Sequence, residues 1–339
     1  MVIRFAVLGF GYIGRRHTSI IQTLPGTELV AIIEPSSDRI FPVGIPVFQD
    51  FDQFISAGIS VDVLCICTPN GLHYEQCIKG LAMGAHILCE KPLALKYKDC
   101  VDIIERAKEL DRKVFCVMQN RYSPPTQWLR TLLEQNKFGK IYAVQATCFW
   151  NRDSRYYKPD SWHGTRKLDG GTLYTQFSHF VDILQWLFGP LTLRHSTFWN
   201  HNHQGITEFE DSGIVLFDLP SGGYANITYS TSTWDKNWES SLAILAELGS
   251  VKIGGQYMNE VEYCHIHQID PPILPPTNPP NNYGDYVGSA NNHAMVFSNV
   301  INTLLHNDSI MTTANEVASV VALIEDAYRS NPFLQDTPS

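Results

Sequence analysis

The chain has 339 residues, room for two domains of ordinary size, and its 44% hydrophobic and 17% charged residues are the balance of a folded protein. A formal charge of −9, from 25 basic and 34 acidic side chains, disfavours nucleic acid as a partner, since phosphate neutralisation needs clustered cations. No apolar run approaches the roughly 20 residues that span a bilayer, and the N-terminus enters a strand pattern without the regions of a signal peptide; the expectation is a cytoplasmic protein with no membrane contact.

In chain order, FAVLGF reads as a strand, RRHTSIIQTL as a helix and ELVAIIE as a second strand. A weak strand at PVFQ, a short helix at FDQFISA and a strand at VDVLCICTP follow. HYEQCIKGLAM and YKDCVDIIERAKEL read as helices on either side of a strand at HILCE, and KVFCVMQN closes the series. Unbroken apolar strands alternating with helices predict a parallel sheet covered on both faces. The pattern then changes, so the first domain is placed at 1–120 and a second at 121–339.

A helix at PTQWLRTLLEQN leads to a strand at KIYAVQATCFW, a polar and aromatic stretch, and one long helix over TLYTQFSHFVDILQWLFG. Strand-like runs succeed one another at LRHSTFWN, DSGIVLFDL, GGYANITYST, SLAILAELG and SVKIGG, with a hairpin turn at Leu219–Gly223. Consecutive strands of this kind predict a large, mostly antiparallel sheet with helices on one side, an α/β chain overall. QIDPPILPPTNPPNNYGDY reads as an extended loop, and the last helices are AMVFSNVINTLL and ANEVASVVALIEDAYR.

GFGYIG, residues 9–14, follows a strand and opens a helix inside a β-α-β unit. Gly9 permits the tight turn, Gly11 the approach of a pyrophosphate, and Gly14 close packing of helix on strand; Phe10, Tyr12 and Ile13 complete the loop. The helix N-terminus offers unpaired N–H groups to the anion. Glu34, 20 positions after Gly14 at the end of the second strand, suits adenosine ribose hydroxyls and repels a 2′-phosphate, favouring NAD over NADP. A plain glycine turn would not require strand, helix and Glu34 together.

Glu90-Lys91-Pro92 stands at the C-terminal end of another strand, the edge where open α/β sheets bind ligands, and proline permits a cis peptide there. Thr68-Pro69-Asn70, followed by His73, caps a neighbouring strand in the same way. Gln176 and His179 make a polar stripe on an otherwise apolar helix, which suggests a lined cavity. Between 150 and 167 lie Arg152, Arg155, Lys158, Arg166 and Lys167 against Asp153 and Asp160, a local net charge of +3 interleaved with Trp150, Tyr156, Tyr157 and Trp162. Arginines pair bidentately with phosphate or carboxylate and aromatic faces stack on bases or sugars, so the segment points to an anionic small-molecule substrate. Eight cysteines, none in a C-x-x-C, read as buried thiols of a reducing compartment, and no His/Cys group has zinc spacing, so no metal is expected.

GFGYIG, CTPNGLH, CEKPL and GG-x₇-H together resemble the glucose–fructose oxidoreductase/inositol dehydrogenase/rhizopine-catabolism (Gfo/Idh/MocA) family over essentially the whole chain. The resemblance implies an N-terminal Rossmann domain, a C-terminal domain whose open sheet makes subunit contacts in a homodimer or homotetramer, and a nicotinamide dehydrogenase acting on a sugar or polyol hydroxyl. By it, Lys91 and His179 match the catalytic lysine and histidine. NRYSP, RYYKPDSWHGT and LDGGTLYTQFSHFVDIL look most like the branch that oxidises UDP-N-acetylglucosaminuronate at C3, although that branch usually has Asn-Gln where this chain has Thr175-Gln176.

The implied cofactor contacts are Gly9 to Gly14, Glu34, Thr68, Pro69, Asn70, His73, Glu90, Lys91 and Asn120. The implied substrate contacts are Lys91, Asn120, Arg152, Arg155, Tyr157, Trp162, Arg166, Thr175, Gln176 and His179. His179 is the expected base; Lys91 is either the stabiliser of the reacting oxygen or itself the base. A free-polyol dehydrogenase of the inositol kind, or an NAD-bound sensor that performs no chemistry, are the alternatives.

Overall fold

The computed structural model describes residues 2–159, 161–284 and 286–334. The chain forms two compact units. The first runs to Val117 and takes in His293–Val321; the second is Met118–Asn292 with the residues from Ala322 onward.

The first unit is a six-stranded parallel sheet in the doubly wound order β3-β2-β1-β4-β5-β6. Its strands are β1 (Ile3–Leu8), β2 (Thr27–Ile33), β3 (Val47–Phe48), β4 (Val63–Ile66), β5 (His86–Cys89) and β6 (Val114–Cys116). The helices between them are α1 (Tyr12–Thr23), α2 (Phe51–Ser56), α3 (His73–Ala82) and α4 (Tyr97–Glu109). β4 is buried along its whole length, as the unbroken run VLCI requires of a central parallel strand. Each such aliphatic side chain contributes about 1.5–3 kcal/mol by leaving water. Gly80 lets α3 lie close on the sheet, since a Cβ there would come within 2.7 Å of Ile87 and 2.8 Å of Leu64.

In the second unit, α5 (Pro124–Glu134) precedes a seven-stranded sheet ordered β13-β12-β11-β7-β10-β9-β8. The strands are β7 (Ile141–Phe149), β8 (Thr192–Trp199), β9 (Ser212–Leu219), β10 (Gly223–Ser230), β11 (Glu239–Ala246), β12 (Gly249–Gly254) and β13 (Glu260–Ile266). Every neighbouring pair is antiparallel except β7 and β10, which run parallel from Ala143↔Tyr224 to Phe149↔Ser230. Alternate residues such as Val144, Ala146, Ala225 and Ile227 are buried, while Tyr142, Tyr224, Ile214 and Leu245 are exposed. All eight cysteines are free, and no helix among the described residues is long and apolar enough to cross a membrane.

Four expectations need correction. The stretch from Thr172 is not one helix but two, α6 (Thr172–Thr175) and α7 (Ser178–Phe188). Between them Phe177 is sunk among Trp150 and Tyr229, with centroids at 5.5 and 4.8 Å, and the Gln176 side chain is held by Arg152 and Tyr156; both anchors override the helical period. EVEYCHI, which had been given no element of its own, forms the edge strand β13. The proline-rich stretch is not wholly loop, because β14 (Pro280–Asn282) pairs with β15 (Val287–Ala290). The last correction concerns the single break at residue 120. The helix α8 (His293–His306) belongs to the first unit, where Phe297 meets Phe5 at 5.6 Å and His17 at 5.0 Å; the final helix α9 (Ala314–Tyr328) contributes residues to both units.

Candidate active site

In the first unit the C-terminal ends of β1, β2, β4 and β5 carry the predicted groups. Gly9 has φ +90°, and a Cβ on it would lie 2.8 Å from the Cys67 carbonyl oxygen. A Cβ on Gly14 would lie 1.9 Å from the Gly9 carbonyl oxygen, so α1 reaches β1 only with glycine there. Gly11, the N-cap of α1, meets nothing within 4 Å where its Cβ would be: the space a dinucleotide's phosphates need beside backbone N–H groups. Phe10 packs on Phe41 at 5.1 Å, and Tyr12 and Ile13 open α1. Glu34 is buried at the end of β2, where it accepts hydrogen bonds from the backbone N–H of Phe10 (2.6 Å) and Ser36 (3.1 Å) and lies 3.3 Å from Arg39 Nε. The acid thus braces the glycine turn. These features fit an NAD.

Thr68, Pro69 and Asn70 follow β4; the Thr68 hydroxyl donates to Gln76, and Asn70 begins a single 3₁₀ turn. His73, expected to touch cofactor, is fully buried, with Nδ1 2.7 Å from the Pro92 carbonyl oxygen and Nε2 3.0 Å from that of Thr68. It ties the Lys91-Pro92 segment, whose peptide is cis, to the end of β4. Burial holds its pKa below the ordinary histidine value, so near neutral pH the ring donates to one of the two carbonyls.

Glu90 lies in a buried group that the sequence did not disclose. Its Oε1 accepts from His17 Nε2 at 2.9 Å and is 3.6 Å from His293 Nε2. His17 Nδ1 faces Cys67 Sγ at 3.4 Å. The polar atoms of His17, Glu90 and His293 all lie within 4.8 Å of one another. Burial alone would raise the Glu90 carboxyl, but the His17 hydrogen bond and the charges of His17, His293 and Lys91 outweigh it and bring it down to about 2. Burial lowers His293 to about 3. His17, three residues after Gly14 on the same helix, left a short-range signal; His293 left none.

In the second unit the +3 segment does not present one cationic face. Arg155 is paired with Asp153 at 2.7 Å and Asp235 at 3.5 Å. Arg166 donates to the Phe333 carbonyl at 2.6 Å. Trp162 stacks on His163 at 3.9 Å, Tyr157 is buried edge-on against Tyr156 at 4.9 Å, and Asp160 lies outside the described residues. Arg152, expected to meet substrate, is only 2% exposed. Its Nε donates to Gln176 Oε1 at 2.8 Å and its Nη1 to the Asn151 carbonyl at 2.6 Å, while Trp150, Tyr156 and Tyr286 surround it at 4.9–5.3 Å. No described carboxylate pairs with it, so its charge is un-neutralised in a buried setting.

Gln176 passes the constraint on, its Nε2 donating to Tyr156 OH at 2.8 Å. Thr175 turns its hydroxyl to Asp169, which also accepts from the Gly164 N–H at 2.8 Å. Asn120 is buried with neither amide atom hydrogen-bonded. His179 is buried in the first turn of α7. One turn on, Asp182 holds Arg121 through bonds of 2.9 Å and 2.6 Å.

A parallel doubly wound sheet, a glycine turn onto a helix N-terminus and a buried acid at the end of the second strand define a dinucleotide-binding fold. The family model described as the oxidoreductase family NAD-binding Rossmann fold of Gfo/Idh/MocA matches residues 3–118, and the Gfo/Idh/MocA C-terminal domain model matches residues 126–252. A WlbA dehydrogenase from Bordetella pertussis, crystallised in complex with NADH and UDP-GlcNAcA, is similar with a TM-score of 0.85 at 29% identity, covering 97% of this chain and 96% of that one. The 2,7-anhydro-N-acetylneuraminate hydratase of Escherichia coli (strain K12) is 26% identical over 263 residues, 75% of this chain and 68% of that protein. Inositol 2-dehydrogenase of Rhodococcus jostii (strain RHA1) is 26% identical over 259 residues, 74% and 68%. The chain belongs to the Gfo/Idh/MocA oxidoreductase family and is an NAD-dependent oxidoreductase acting on CH–OH groups.

Proposed function

We propose that the chain oxidises a secondary hydroxyl of an anionic nucleotide sugar, C3 of a UDP-N-acetylglucosaminuronate-type substrate, to the ketone. The similarity to the WlbA dehydrogenase bound to NADH and UDP-GlcNAcA carries this reading. The un-neutralised Arg152 supports it, because a buried cation without a carboxylate favours an anion nearby. Bound NAD supplies the hydride acceptor. His179 takes the hydroxyl proton, and Lys91 donates a hydrogen bond to the oxygen on which negative charge develops. Asn120 and Gln176 orient polar substituents of the sugar. The exposed apolar residues Tyr142, Tyr224, Ile214 and Leu245 on the open sheet suit contact with a second copy of the chain, and free thiols suit the cytoplasm.

The test mixes the protein, at substrate-level concentration so that one turnover is visible, with NAD and separate sugars while the absorbance of reduced nicotinamide is followed. The charged nucleotide sugar produces it; UDP-N-acetylglucosamine and inositol produce it at least about 10-fold more slowly. Oxidation of inositol with an inert nucleotide sugar would establish the free-polyol reading instead.

Glu34→Ala tests the cofactor contact. It weakens NAD binding, because the turn loses its brace, and narrows the preference for NAD over NADP by about 10-fold or more, because repulsion of a 2′-phosphate disappears. Parallel kcat/KM measurements with both cofactors decide it; an unchanged ratio removes Glu34 from the ribose site.

A further inference from the structure

We propose that Glu210 and Tyr328 are positioning residues for the reaction: together they clamp the start of α6 and so fix the backbone of Gln176 and the entry to α7, on which His179 stands. The proposal rests on the roles given above to Gln176 and His179, and it concerns what holds them. Glu210 lies just before β9, is fully buried, and belongs with all its partners to the second unit. The hydroxyl of Thr172, the first residue of α6, donates to its Oε1, as do Tyr229 of β10 at 3.0 Å and Tyr328 at the end of α9 at 2.6 Å. Asn331, beyond α9, donates to Oε2 at 2.8 Å. The Tyr328 hydroxyl in turn accepts from the backbone N–H of Leu173 at 2.8 Å. One of the N–H groups that a helix start leaves unpaired is thus tied, through a single oxygen, to a buried carboxyl group.

The grip reaches the site in one step. The Thr172 carbonyl accepts from the N–H of Gln176 at 2.9 Å and of Phe177 at 3.1 Å, the two residues at the break between α6 and α7. The Phe177 carbonyl then accepts from the N–H of Phe180 at 2.9 Å, in the first turn of α7 around His179. A helix of four residues is too short to hold its own direction, so bonds from outside set it. Gly171, the second glycine of the GG-x₇-H motif, supplies the matching space. Its φ is +135°, and a Cβ on it would stand 2.5 Å from the Tyr328 hydroxyl oxygen, so only glycine admits that hydroxyl to the Leu173 N–H. The Tyr328 ring has packing of its own, 5.6 Å from Tyr174 and 5.6 Å from Phe198, which leaves the hydroxyl to act on α6. A buried polar network with its donors and acceptors paired holds one backbone arrangement against the alternatives.

The test compares the full chain with Tyr328→Phe, which keeps the ring and removes only the hydroxyl. Amide hydrogen exchange read by mass spectrometry needs no substrate. The backbone over 172–177 is expected to exchange about 10-fold faster in the variant, while NADH affinity is unchanged because the glycine turn belongs to the first unit. With a sugar that the wild type oxidises, kcat falls by about 10-fold, since small misplacement of the reacting groups lowers turnover. Ile253→Val, buried in β12 and separated from β10 by β11 and β7, lowers Tm without touching the clamp. It is expected to leave exchange over 172–177 and kcat as in the wild type, which separates positioning from general loosening. Wild-type exchange over 172–177 in Tyr328→Phe overturns the proposal, and so does a wild-type kcat beside faster exchange. If the wild type oxidises none of the sugars tried, the substrate reading fails, and the exchange result still decides the clamp. Should Tyr328→Phe not fold, Thr172→Val, which removes another donor to the same oxygen and keeps the shape, is read by the same outcomes.

Discussion

His179→Ala is expected to bind NAD as the wild type does and to lose turnover by roughly 10²-fold or more. Binding survives because the glycine turn and Glu34 belong to the first unit, whereas His179 lies in α7 of the second. Turnover falls because a secondary alcohol cannot release hydride while its proton stays in place, and imidazole, with an unperturbed pKa of about 6.5, is matched to that transfer near neutrality. Fluorescence titration with NADH, beside the rate of reduced-nicotinamide formation, separates the two effects. Near-normal turnover would take His179 out of the base role and leave Lys91 as the candidate.

Asp182→Ala is expected to destabilise the second unit by about 3–5 kcal/mol, a fall in Tm of about 10 °C. Asp182 and Arg121 are each 1% exposed and share a two-point bond, and the Arg121 guanidinium also lies 5.4 Å from the Trp186 ring. Removing the carboxylate strands a guanidinium away from water, and that penalty, more than the lost attraction, dominates. Replacing both partners at once, Arg121→Met with Asp182→Leu, recovers most of the loss, since no charge is then left buried. A thermal melt of the three proteins checks this; an unmoved midpoint in Asp182→Ala would mean that solvent reaches Arg121. The pair anchors α7 one turn beyond His179, so activity at low temperature should also suffer in the single variant while NADH binding does not.

What sequence disclosed here follows the range of the interactions concerned. The turn at Gly9–Gly14 was legible because steric demands on neighbouring residues write themselves as glycine at set spacings, and the structure shows them as a φ of +90° at Gly9 and a 1.9 Å conflict for any Cβ at Gly14. The break between α6 and α7 was hidden, because Phe177 and Gln176 leave the helical path for partners 27 and 24 residues away, Trp150 and Arg152. A charge count read Arg152, Arg155 and Arg166 as one patch; it could not see that the first is buried among rings, the second spent on Asp153 and Asp235, and the third on a backbone carbonyl.

By itself, then, the order of residues determined the doubly wound class, the second, mostly antiparallel sheet and the nucleotide turn, because periodicity and backbone sterics act over a few residues, and its motifs, through a family resemblance, pointed to Lys91 and His179 as candidates. Only the tertiary structure decided that a histidine at position 293 closes over Glu90, that Arg152 keeps an unmatched charge, and that Asn120 is buried with its amide unsatisfied. Those facts depend on desolvation and on contacts between distant segments, and both are properties of the folded packing, absent from any local stretch of chain.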